Sequence, residues 1–219
     1  MLDLYEELKA IIFALDENGI DYALCGGLAM AVHGLPRATL DIALLILADR
    51  LEEAKLVICN LGYTIEAQPM TFHKGAIEIR RWSKLDPSDG DILTVDFLLA
   101  TPTVMDAWTS RIKVASTQGS VSVVSREGLI ILKSFRRSGQ DLDDIERLKA
   151  IEMNVDMSAA AVTLRLRRVS QLRRVCLELG KMKPVIGVRE KGAEGYAVAG
   201  SQSSEENQEQ GDLLNQNRS

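Results

Sequence analysis

The chain of 219 residues has few aromatics, two histidines, three cysteines and no long apolar run, and each scarcity removes a class of protein. Apolar residues run unbroken only from Ile42 to Ala48, far short of the roughly 20 that cross a bilayer as a helix. No membrane partner is therefore expected. The opening MLDLYEEL is acidic and has none of the basic leader of a signal peptide, so the expected location is cytoplasmic. Cys25, Cys59 and Cys176 are odd in number and far apart, which leaves neither a disulfide framework nor a zinc knuckle; buried thiols are expected. His33 and His73 have no partner at ligand spacing, and structural roles are expected for both. Aromatics make up 5% of the chain, and Trp82 and Trp108 lie far in sequence from its most basic stretch. A platform for stacking bases is not indicated.

What is present is an ordinary globular balance, 46% hydrophobic and 26% charged with a net charge of −5, enough for one generous domain or two small ones. Helical spacing of Leu4, Leu8, Ile11, Ile12 and Leu15, stopped by Asn18-Gly19, predicts a helix over about 3–17. Tyr22 to Cys25 reads as a short strand, Gly26-Gly27 as a turn, and Leu28 to His33 as a compact helix. A buried strand is expected from Asp41 to Leu47 and a helix from Leu51 to Leu61, ended by Gly62. Period-two patterning then predicts strands over 63–67, 75–82 and 92–99, with KLDPSDGD as the loop between the last two. A hairpin over 112–124, a helix capped by Ser125 and running to about Arg137, and two further helices over 142–151 and 157–179 complete the reading.

The chemistry concentrates in GGLAMAVHGLPRATLDIALLI, residues 26 to 46. Glycine pairs let backbone N–H groups approach phosphate oxygens where a helix begins. Carboxylates at i and i+2 on a strand share one face, so an Asp-x-Asp pair completed by an acid on a neighbouring strand suits magnesium, which prefers hard oxygen ligands. Asp41 fits the first position and Asp96, in DILTVDFLL, the third; the second is Ala43. Singly, these residues are ordinary: most glycine pairs are plain turns, most strand-end acids cap or pair, and a helix lysine such as Lys133 often only covers apolar surface with its stem. Arg37 could position a phosphate or pair with an acid.

Together, the run resembles the nucleotidyltransferase superfamily motif of Gly-Gly or Gly-Ser, about a dozen residues, then Asp-x-Asp or Asp-x-Glu; here thirteen residues separate Gly27 from Asp41. GLPRATLD is most similar to the branch containing the AbiEii-type toxins of toxin–antitoxin systems and related small nucleotidyltransferases. SREGLIILKSFRRSGQDLDDIERL resembles that branch's lysine-bearing helix and the Asp-rich segment after it. The resemblance covers about residues 3 to 151. It implies an α/β fold with a mixed sheet flanked by helices, magnesium as cofactor, and a nucleoside triphosphate whose nucleotide passes to RNA, a protein or a small molecule. By that likeness Gly26, Gly27, Arg37, Thr39 and Lys133 would hold the nucleotide. Asp41 and Asp96 would be catalytic acids and metal ligands, with Asp141 or Asp144 in support. A cognate antitoxin would be a partner if the toxin role holds. Ala43 departs from the motif by removing one of three metal carboxylates, which should weaken metal binding and cut turnover severely. It fits either a non-catalytic nucleotide- or partner-binding relative or an enzyme whose acid has been replaced.

Beyond residue 151 the sequence predicts a basic helical extension over 152–185 and a disordered tail over 186–219 rich in Gly, Ser, Gln, Asn and Glu. Nine Lys/Arg fall between Arg165 and Lys191 against Glu178 and Glu190. Arg167, Arg168, Arg173 and Arg174 could grip an RNA backbone, or the stretch could be a solvated helix face.

Overall fold

The computed structural model describes residues 1–136, 138–151 and 155–181; the expected tail over 186–219 lies outside them. The elements are α1 (Leu4–Glu17), β1 (Ala23–Cys25), α2 (Gly26–Val32), β2 (Asp41–Ile46), α3 (Leu51–Asn60), β3 (Ile65–Glu66), β4 (Met70–Phe72), β5 (Ile77–Leu85), β6 (Ile92–Leu99), α4 (Met105–Thr109), β7 (Ile112–Ser116), β8 (Gly119–Val123), α5 (Arg126–Arg136), α6 (Gly139–Ala150) and α7 (Ala159–Lys181). The fold is α/β: eight strands form one mixed sheet in the order β3-β5-β6-β2-β1-β8-β7, with β4 also paired to β5. Two neighbouring pairs, β2–β6 and β1–β8, are parallel. The pairs β1–β2, β5–β6 and β7–β8 are antiparallel.

Local chemistry fixes the ends of the elements. Asp3 caps α1, its carboxylate accepting from the N–H groups of Tyr5 and Glu6, and Leu4, Leu8, Ile11, Ile12 and Leu15 form the buried face. Ser125 caps α5 through a bond from the Gly128 N–H at 3.0 Å. Ser138 and Asp141 form a reciprocal capping box that starts α6 three residues earlier than the apolar pattern suggests. The central strands β1, β2 and β6 supply the core, where Leu24, Leu44, Val95 and Phe97 are fully buried.

Helix α7, expected as an extension, packs against α1, α2 and β7. Arg165 donates from Nε and Nη2 to the carbonyls of Ala31 and Val32, both at 2.9 Å, so it satisfies the open C-terminal end of α2. Of the three cysteines only Cys25 is buried; Cys59 is half-buried and Cys176 exposed, since α7 turns position 176 away from its packed face. No helix among the described residues is long and apolar enough to cross a membrane.

Candidate nucleotide cleft

The chain leaves β1 and enters α2 with no intervening loop, through Cys25 in an extended conformation and Gly26 at φ +63°. Two close approaches require glycine here. A Cβ on Gly26 would lie 2.9 Å from the Ala43 Cβ, and one on Gly27 would lie 2.7 Å from the Thr39 Cβ. The 34–40 loop is therefore pressed against the glycine turn, and Thr39 donates its hydroxyl proton to Asp41 at the start of β2.

Strand register places the acids. Ala43 faces Cys25 on β1 and Asp96 on β6, and Asp96 faces Arg81 on β5. These four positions form a row across the sheet with side chains on one face, and Asp41, two residues before Ala43, shares that face. Asp41 and Asp96 thus sit on adjacent parallel strands beside one cleft, as the spacing implies.

Helices α5 and α6 close the opposite wall. Lys133 is buried, with Nζ 2.7 Å from Asp144 and 3.2 Å from Asp141. The same Asp144 oxygen accepts from Arg37 at 3.0 Å, so one carboxylate ties the 34–40 loop to both helices. Asp141 also closes the capping box. The Arg37 Nε–H is buried and has no hydrogen-bond partner among the described residues.

The resulting cleft is lined by Gly26, Gly27, Arg37, Thr39, Asp41, Ala43, Asp96, Lys133 and Asp141, among others, and encloses about 110 Å³. That is smaller than the roughly 300–1,000 Å³ of sites that bury a whole small molecule, so it suits part of a ligand, such as its phosphates. Asp144 stands behind the wall rather than on it. Every nucleotide-binding candidate named from the sequence reaches this one cavity.

Around the two acids expected to hold magnesium, Asp41 and Asp96, only part of the motif is present. Ala43 stands where the second acid belongs, and the Arg81 guanidinium engages both Asp96 oxygens at 2.7 Å. Among the described residues no three His, Cys, Asp or Glu side chains converge as a metal site. Asp41 has its Thr39 bond and no ion pair among the described residues. The expectation for Arg173 needs correction. Its side chain does not face a nucleic acid but is buried, its guanidinium donating to Asp91 at 2.8 and 3.1 Å and to the carbonyls of Leu2 and Ile92. Arg167, Arg168 and Arg174 are exposed; Arg167 stacks 5.3 Å over Tyr5 and Arg174 pairs with Asp3 at 3.3 Å.

Arg81 is the residue that sequence reasoning missed and Arg173 the one it misplaced, and both left a signal. If β5 and β6 form a hairpin around the loop after Leu85, counting outward puts Arg81 opposite Asp96. Val162, Leu166, Val169 and Arg173 share one helical stripe, so position 173 belongs to the packed face. The histidines are structural: His33 donates from Nε2 to the Val124 carbonyl at 2.8 Å, and His73 meets Phe135 edge-on.

No protein-family model matches the sequence, and no curated protein matches it. Among solved structures, the chain is similar to the lincosamide antibiotic adenylyltransferase LnuA, at 17% identity and a TM-score of 0.48, over 67% of this chain and 97% of that one. It is also similar to the antibiotic-resistance factor ANT(2'')-Ia, at 17% identity and a TM-score of 0.48, over 82% of this chain and 98% of that one.

Proposed function

We propose that this chain is a nucleotidyltransferase-type protein whose cleft binds a nucleoside triphosphate by its phosphates, and that with Ala43 in place it does not pass the nucleotide on. The observation that carries this reading is the convergence of three distant stretches, 25–43, 96–98 and 129–141, on a single cavity. The glycine pair, the half-buried Arg37 and the buried Lys133 meet there. Those groups suit phosphate oxygens, which accept several hydrogen bonds at once. Transfer asks for more. The leaving and attacking oxygens must be neutralised as charge develops, work that carboxylate-held metal ions do in this chemistry. The row Ala43, Asp96, Arg81 offers one acid, already neutralised.

The test is calorimetric titration of the full chain with each common nucleoside triphosphate, beside a labelling assay with radioactive nucleotide on cell extract. Saturable binding of at least one triphosphate is expected, weakened about tenfold or more by Lys133→Met, as loss of a charged hydrogen bond implies. No label should appear on any acceptor. A chain that binds no triphosphate would remove the binding reading, and a chain that labels an acceptor would remove the conclusion drawn from Ala43.

A further inference from the structure

Asp96 has two features that do not belong together in a metal ligand. Its side chain is about 2% exposed, and its two oxygens face Nε and Nη2 of one guanidinium at 2.7 Å each. A parallel two-bond pairing of this kind is the strongest side-chain grip available to a carboxylate. Arg81 reaches it from the adjacent strand β5, directly across from Asp96 in the register, while 38% of its own side chain stays exposed. Asp41 also attracts Arg81 at longer range, after the Asp96 bond as the larger influence. The guanidinium therefore lies in the field of both acids of the β2–β6 pair, Asp96 and Asp41. On the other side of Asp96, the register neighbour Ala43 brings no charge. One positive group and two acids replace the arrangement of three acids around metal ions.

We propose that Arg81 takes the place of a divalent metal ion at Asp96, holding that carboxylate from the neighbouring strand. Restoring a metal centre then takes two changes, one at position 43 and one at position 81. An acid at 43 alone would stand beside Asp96 and within reach of the same guanidinium, so its charge would strengthen the hold of Arg81 before it attracted a metal. This inference rests on the nucleotidyltransferase-type reading of the cleft, but it is tested without nucleotide and without turnover.

Manganese binding to the full-length protein, followed by electron paramagnetic resonance of the free ion, separates the possibilities. The protein as it stands should not bind manganese at the cleft, and Ala43→Asp should bind it weakly. Ala43→Asp with Arg81→Met should bind at least about tenfold more tightly than Ala43→Asp, the scale on which neighbours of a metal ligand act. Manganese should also raise the melting temperature of the double variant and leave that of the unchanged protein in place. Three acids without a cation could prevent folding, so Ala43→Asp with Arg81→Gln, which keeps a neutral donor for Asp96, is measured in parallel. Equal affinity in Ala43→Asp and both double variants would overturn the proposal. So would manganese binding by the unchanged protein that Asp96→Asn abolishes. Triphosphate titration of the unchanged protein is a separate arm: its failure removes the functional reading and leaves the manganese comparison to stand or fall by itself.

Discussion

Replacing Asp144 with alanine should loosen the fold and the cleft together, because one buried oxygen serves two cations from different segments. Asp144 accepts from Lys133 at 2.7 Å and from Arg37 at 3.0 Å, and its side chain is about 3% exposed. Stranding one member of a buried ion pair costs about 3–5 kcal/mol. The full amount does not apply here. Lys133 keeps Asp141 at 3.2 Å, and 19% of the Arg37 side chain is exposed and can recover water, so about 2–3 kcal/mol is the better figure. For a domain of this size that lowers the melting temperature by about 4–12 °C. Asp144→Asn keeps an acceptor and loses the charge, and should fall about midway. Urea unfolding with calorimetry reads the stability. Triphosphate titration reads the second effect, a loss of affinity of about tenfold as Lys133 and Arg37 lose their fixed geometry. If Asp144→Ala stayed within about 0.5 kcal/mol of the parent and bound triphosphate equally well, the network would not be holding the wall of the cleft.

Other expectations follow from the same geometry. Arg173→Met should destabilise by about 3–5 kcal/mol because Asp91 is left buried and unpaired, and a double-mutant cycle with Asp91→Asn should recover more than about 1 kcal/mol of coupling in urea melts. Gly27→Ala puts a methyl against Thr39, so stability should drop by about 1–3 kcal/mol and triphosphate affinity should fall with it; an unaffected titration would mean that the glycine turn is not part of the site. His33 has a pKa held below 6.5 by burial, against the opposing pull of the Val124 carbonyl. Between the folded and unfolded values the unfolded chain binds more protons, so this contribution is intact above about pH 6.5 and is lost as pH falls toward the folded value. Urea midpoints of wild type and His33→Gln measured from pH 7.5 to 5 should converge on acidification.

Much of this was legible before any coordinates. The strand over 92–99 stands where the periodicity puts it, because apolar alternation reflects local physics that tertiary packing reinforces here, whereas the glycine pair expected as a turn before the helix opens α2 itself. The pairing of Asp41 and Asp96 on adjacent strands follows from the spacing of two acids on two buried strands. What stayed hidden depends on partners distant in sequence. The short strand β4 consists of half-buried Met70, exposed Thr71 and half-buried Phe72; it is defined by its bonds to β5 rather than by a pattern of its own. Arg173 belongs to a helix stripe otherwise occupied by aliphatic side chains, and a charged residue there reads as solvated until Asp91 is brought to it across 82 residues of chain. Arg81 reads as one charge among several on a half-buried strand until the β5–β6 register sets it against Asp96.

The most direct measurement is a crystal structure of the full chain with a non-hydrolysable nucleoside triphosphate. The phosphates should lie between the Gly26-Gly27 backbone and the wall formed by Arg37 and Lys133, with the Arg81–Asp96 pair unbroken. Triphosphate bound away from these residues, or Asp96 released from Arg81 and coordinating a metal ion beside the phosphates, would contradict it.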